Sequence, residues 1–250
     1  MNKSLEQLLS HPNIWQARQG RQIKSVISTG YEMLDNKLHD RGWPLGATTE
    51  LLGPSAGVGE LRLLLPALRQ QQQRPWVLFL GPPFLPYAPA FAAAGIDPQR
   101  LLVVCPRNGR ELLWSADQAL RSGSCGAVIT WGTRQAISDR DLRRLQQAAH
   151  EGNCWHVLFR PREERLQASP SALRMHFEST SNGDLQLQVL KQRGGWSGQT
   201  LRLPLPASLQ QRQRLPAEQL PVHLGPQPSV KRRAPLATPT TPVTALAARS

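Results

Sequence analysis

The residues best suited to chemistry are the glycines of GPSAGVG, residues 53–59, with Glu60 directly behind them. A short apolar run, TTELL at 48–52, enters this turn. ELRLLLPALRQQQQ at 60–73 leaves it with helical periodicity, and Pro66 falls inside. A glycine-rich turn between a strand and a helix can cradle phosphate through backbone N–H groups. Gly53, Gly57 and Gly59 supply room for that. The phosphate-binding pattern is GxxxxGK[ST]. Counted from Gly53, the second glycine's place holds Val58, the lysine's holds Gly59 and the hydroxyl's holds Glu60. A carboxylate there repels a triphosphate, and each absence removes a separate part of phosphoryl-transfer chemistry. Three readings compete: an ATPase with an unusual turn, a weak regulatory nucleotide pocket, and a relic turn that keeps the geometry without the ligand. The losses favour the relic.

No other catalytic constellation stands out. His11, His39, His150, His156, His176 and His223 lack metal-ligand spacing, and no G-x-S-x-G elbow exists. Cys105, Cys125 and Cys154 form no CxxC and read as buried thiols of a reducing compartment. The expectation is no catalytic residue, no metal and no cofactor. No apolar window suits export or membrane spanning, so a cytoplasmic protein is expected.

The elements that must position the turn are an alternation of strands and helices. After it come WVLFLG at 76–81, a helix PAFAAAG, LLVVC at 101–105, a helix over 109–122, GAVITW at 126–131, a helix over 138–150 and WHVLF at 155–159. Apolar runs that do not alternate in polarity predict strands buried on both faces, hence a parallel sheet. Trp76, Trp131 and Trp155 adjoin these strands and read as core. LRMHFEST (173–180) and LQLQVLKQR (185–193) do alternate, around a Ser-Asn-Gly-Asp turn, and predict a hairpin; TLRLPLP (200–206) adds a strand. The fold class is therefore α/β, mainly parallel, flanked by helices, with an antiparallel C-terminal end. The expected organisation is an N-terminal helix and linker at 1–24, a core at 25–206 and a basic Pro/Thr-rich tail at 207–250 without a core signal, read as disordered.

The formal charge is +13 over 250 residues, which favours polyanionic partners or acidic protein surfaces. Residues 201–250 carry seven Lys or Arg against Glu218 alone, densest at Lys231, Arg232 and Arg233. That cluster suits DNA, an acidic partner groove, or mere solubility. Lys191 and Arg193 could line a DNA or protein surface. Trp15 and Trp196 read as exposed anchors for a partner. Arg160, Arg162 and Arg165 follow a strand end, where open α/β sheets bind ligands. DRDLRRL at 139–145 reads as a solvated helix face, with Leu142 and Leu145 toward the core.

STGYEMLDNKL (28–38) followed by GWPLGATTELLGPSAGVGE (42–60) resembles the opening of a RecA-like core, and the likeness continues to about residue 205. It implies a RecA-like fold in which Trp131 stands where the magnesium-binding aspartate would end its strand. Pro83 stands near the water-activating glutamate's position. The DNA-holding loops look short at 132–138 and 161–169. The run from Gly53 through Glu60 to Leu63, Leu64, Leu65, Pro66, Ala67 and Leu68 is similar to the ImuA family, translesion-synthesis-associated RecA-like proteins; so are His11, Pro12 and Trp15. That likeness implies a non-catalytic adaptor in SOS-induced error-prone translesion synthesis. Its implied partners are an ImuB-like inactive Y-family polymerase, an error-prone replicative-type DNA polymerase, and RecA and DNA, near the nucleoid during damage. The alternative resemblance is to SulA, the SOS cell-division inhibitors that bind a tubulin-like division protein.

Overall fold

Runs of Val, Ile, Leu and Phe without polar alternation need cover on both faces, and the chain supplies it with helices in the crossovers. The computed structural model describes residues 26–54, 59–132 and 136–205. Strands β1 (Val26–Ile27) and β2 (Trp43–Pro44) form a small antiparallel ribbon, with the short helix α1 (Glu32–Asp35) between them. The main sheet takes β3 (Ala47–Gly53), β4 (Trp76–Leu80), β5 (Leu101–Val104), β6 (Cys125–Trp131), β7 (Trp155–Pro161), β8 (Leu173–Ser179), β9 (Leu185–Gln192) and β10 (Thr200–Leu203). Their order is β10-β9-β8-β3-β7-β6-β4-β5. From β8 to β5 neighbouring strands are parallel; β8, β9 and β10 are antiparallel. This is a RecA-like α/β fold with a C-terminal hairpin.

Helices α2 (Glu60–Gln70) and α3 (Ala88–Ala93) cover one face, α4 (Gly109–Arg121) and α5 (Asp139–Glu151) the other. Strand alternation divides the core accordingly. Phe79, Ile129, Trp131, Val157, Phe159, Met175 and Phe177 meet Leu63, Leu64, Ala67 and Leu68 of α2. Leu78, Leu80 and Val128 meet Leu112, Ala116 and Leu120 of α4 and Leu145, Ala148 and Ala149 of α5. Asn108 caps α4, and Ser138 with Asp141 forms a reciprocal capping box on α5.

Three expectations change. β5 is not buried on both faces: it is the sheet edge, with β4 as its one partner, and Leu102, Val103 and Val104 are each about 38–39% exposed. Trp76, at the rim of β4, is 37% exposed rather than core. Cys105, just past β5, is an exposed thiol, while Cys125 and Cys154 are buried. Among the described residues no helix is long and apolar enough to cross a membrane.

Pro66 sits inside α2 without ending it. Proline has no N–H, so the Arg62 carbonyl one turn earlier loses its helical donor. The Tyr31 hydroxyl replaces that donor, at 2.9 Å from the Arg62 oxygen. Tyr31 is delivered by the S-T-G…L-D segment, which is a structural clasp. The Asp35 carboxylate accepts from Ser28 Oγ at 2.8 Å and from the Thr29 N–H at 2.9 Å. Tyr31→Phe should therefore lower stability by about 1 kcal/mol in urea unfolding. The loss should shrink in a Pro66→Ala background, where the substituted alanine brings back a backbone N–H and with it the helical bond.

Candidate functional site

The glycine turn leaves β3 at Gly53 and enters α2 at Glu60. Residues 55–58, including Gly57, lie outside the described residues. Gly53 has a packing reason to be glycine: a Cβ there would collide with the Phe177 ring. Gly59 precedes the helix with φ +88°, in the left-handed region that favours glycine. Glu60 occupies the first helical position, 7% exposed and with a polar partner of its own. A helix N-terminus attracts negative charge, and here the chain places its own carboxylate on it. That is the spot an anionic ligand would need.

Trp131 ends β6 and is 4% exposed. It stacks on Phe159 at 5.2 Å and meets Phe79 edge-on at 5.8 Å. Phe159 meets Phe177 at 6.1 Å, and Phe79 meets Phe91 at 5.5 Å. Five rings thus line the α2 side of the sheet, toward the carboxyl ends of β4, β6, β7 and β8. Rings at these separations attract one another beyond their area burial. An ionised carboxylate in Trp131's place would have no polar partner in this surround. Beside this core the chain after β4 turns outward: Pro82 and Pro83 are half-buried, and Phe84, Leu85 and Tyr87 are 70%, 70% and 68% exposed.

The opposite face of β3 carries a polar clamp that residue types and spacing do not announce. Glu50 is fully buried. Its carboxylate lies 3.1 Å from Arg160 of β7 and 3.4 Å from Arg174 of β8, and it accepts a hydrogen bond from the Ser169 hydroxyl. Arg160 also pairs with Glu164 at 3.1 Å, and Arg174 donates to the Gln167 and Glu164 carbonyls. Burial pushes the Glu50 carboxyl up; hydrogen bonds from Ser169 and Ser171 and the charges of Arg174 and Arg160 outweigh it and hold the group below its ordinary value. Arg160 is therefore no free ligand-binding group, in contrast to the expectation that placed it with Arg162 and Arg165 at a ligand-facing strand end. Beside the clamp, His156 lies between the hydroxyls of Thr48 and Thr130 at 3.0 and 3.3 Å. Complete burial pushes His156 down to about 3, against a small opposing pull from Glu50.

Lys191, Arg193 and Trp196 come together at the amino end of the parallel strands, away from Gly53 and Trp131; Lys191 is paired in register with Arg174 near the start of β8. Lys191 is half-buried and its ammonium donates to the Ser169 carbonyl, so it helps hold the fold. Burial first, then Arg174 and Arg193, lowers its pKa. Arg193 lines a cavity of about 210 Å³ with His39, His150 and Gln192. Trp196 is 82% exposed. Trp15, Lys231, Arg232 and Arg233 lie outside the described residues. Among the described residues no group of His, Cys, Asp or Glu could hold a metal ion.

A family model described as "Cell division inhibitor SulA" matches residues 54–156. The cell division inhibitor SulA of Cronobacter sakazakii is 34% identical over 117 residues, covering 46% of this chain and 69% of that protein. SulA of Edwardsiella piscicida is 30% identical over 120 residues, covering 47% and 70%. Protein RecA of Chlorobaculum parvum is 33% identical over 118 residues, covering 47% of this chain and 34% of RecA. These matches carry SulA and RecA likeness. The finer ImuA likeness rests on the pattern of residues 53–68 and on His11, Pro12 and Trp15, which lie outside the described residues.

The depressed His156 makes stability depend on pH. Between about 3 and 6.5 the unfolded chain binds a proton that the folded chain refuses. Stability should be full above about pH 6.5 and fall on acidification, by up to about 1.4 kcal/mol per pH unit from this group. Glu50, also depressed, adds a loss that begins as pH falls below the ordinary carboxyl range and is complete once pH has passed its own lowered pKa. Urea unfolding of the parent and of His156→Gln checks this. The variant should lose much of the decline seen between about pH 6.5 and pH 5.

Proposed function

We propose, from the premise that the chain belongs to the SulA family within the RecA-like superfamily, that it is a non-catalytic binding protein of the SOS response. In this reading the core has exchanged nucleotide chemistry for contact with protein partners, with no cofactor, in the cytoplasm. The observation that carries it is the sheet end itself. Glu60 sits on the helix N-terminus and Trp131 is locked among rings, where phosphoryl chemistry needs cations and a metal-binding carboxylate. The same end exposes Phe84, Leu85 and Tyr87. Large exposed aromatic and aliphatic side chains beside a rigid sheet are what partner proteins use as anchors.

Two partner classes fit. The curated relatives favour the first, a SulA-type inhibitor that binds a tubulin-like division protein; Phe84 to Tyr87 fall inside the matched residues 54–156. The second is an accessory protein in error-prone translesion synthesis. Its partners would be an inactive Y-family polymerase-like protein and an error-prone replicative-type polymerase, with RecA and DNA as further contacts near the nucleoid. Its support is the pattern from Gly53 through Leu68, together with about 90 residues beyond the matched segment and their basic cluster at 231–233.

Co-purification of the full chain from DNA-damaged cells separates the two. The first reading expects the tubulin-like protein in the eluate and filamentation on expression alone. The second expects the polymerases and normal division. Either partner should be lost in a Phe84→Ser, Tyr87→Ser double variant whose unfolding midpoint stays near that of the parent. Full retention of the partner by that variant would contradict docking at this edge.

A further inference from the structure

The cavity of about 210 Å³ opens at the amino ends of the parallel strands. Ala47, the first residue of β3, lines it, and Gly53 ends the same strand about 20 Å away. Its floor is apolar: Leu38, Ala47, Ala172 and Leu173 are buried there. Its polar walls are held by hydrogen bonds. The Gln192 side chain accepts from the His39 N–H at 2.7 Å and donates to the Trp196 carbonyl at 2.7 Å. Gln146 of α5 accepts from the Thr48 N–H at 3.0 Å, and the Arg193 N–H donates to the Ala172 carbonyl at 2.9 Å. Gly194 and Gly195 let the turn after β9 close on His39, since a Cβ at either would come to 3.0 or 2.7 Å of that side chain. The cavity is a built recess between fixed segments.

The charges around it favour an anion. Asp40, the carboxylate of the lining, lies 3.9 Å from His39. Arg193 is exposed at the rim and makes no ion pair among the described residues. The carbonyls at the end of α5, which would repel an anion, are already taken. Those of Ala149 and His150 accept the Cys154 and Asn153 N–H groups, and that of Gly152 accepts from Arg74 at 2.8 Å. The size of the recess narrows the choice further. It lies below the roughly 300–1,000 Å³ that drug-sized ligands fill, so its occupant is a small molecule or the end of a larger one. Trp196 decides between these. It stands on the turn that forms one wall and is 82% exposed. Such a ring serves only an occupant that continues past the mouth.

We propose that this cavity receives the C-terminal residue of a protein partner, with an apolar side chain on its floor, the free carboxylate on Arg193 and the preceding residues along Trp196. A guanidinium matches the two oxygens of a carboxylate in a paired geometry. A chain terminus supplies that carboxylate beside a side chain small enough for the recess. The site lies at the end of the sheet opposite the Phe84–Tyr87 edge, and it does not depend on which partner binds there.

A hexapeptide array tests this with the labelled full chain. Its first five positions are mixed, its last is each of the twenty amino acids, and every peptide is present as the free acid and as the amide. Free acids ending in Leu, Ile, Val, Met or Phe should retain the protein. Fluorescence anisotropy with labelled copies of the retained peptides should show their amides binding roughly 10- to 150-fold more weakly, the worth of a hydrogen bond to a charged group. Arg193→Ala should abolish the preference for acid over amide, and Arg193→Lys should restore part of it. Trp196→Ala should weaken the peptides by about 5-fold or more. It should leave the weaker binding of N-acetyl-leucine, which ends at the mouth, unchanged. Retention of no free acid would overturn the proposal, as would equal binding of acids and amides or a parental acid preference in Arg193→Ala. N-acetyl-leucine binding as tightly as the best peptide would also overturn it, by making this a site for small free acids.

Discussion

Gly53 and Phe177 cannot both carry side-chain bulk at the end of β3, and the chain gives the space to the ring. The rest of the sheet end follows from that contact. Phe177 meets Phe159, Phe159 carries Trp131, and Trp131 leans on Phe79. The helix that begins at Glu60 seals the row with Leu63, Leu64, Ala67 and Leu68. A RecA-like ATPase needs this region polar and charged. Here it is hydrophobic core, and the helix that starts at its mouth carries the Glu60 carboxylate in its first turn.

The opposite face solves a different problem. β3 is buried on both sides, yet it carries Glu50 in its middle. An isolated buried carboxylate would cost several kcal/mol, so the fold brings Arg160 and Arg174 from its two neighbouring strands. The clamp joins β7, β3 and β8 in one polar network. It fixes the junction between the parallel strands and the antiparallel hairpin, and Lys191 ties in through the Ser169 carbonyl. The aromatic row packs one face of β3 and the clamp holds the other.

Much of this was legible in the sequence. The runs ending in Leu80, Trp131 and Phe159 announced parallel strands because burial on both faces removes alternation, and the alternation of 173–193 announced the hairpin. The departure of Gly59 and Glu60 from the phosphate-loop pattern needed no coordinates. What stayed hidden depends on partners distant in the chain. Glu50 reads as an ordinary polar residue within TTELL until Arg160, 110 positions away, is placed against it. Arg160 looked like a ligand contact for the same reason. LLVVC looked like an interior strand because apolar content does not say whether a strand has one neighbour or two.

The central claim is that a packed sheet end has replaced a nucleotide site. Isothermal titration calorimetry of the full chain with ATP and magnesium tests it most directly. The account predicts no saturable heat up to millimolar nucleotide. Saturable binding that disappears when residues 53–60 are altered would contradict it.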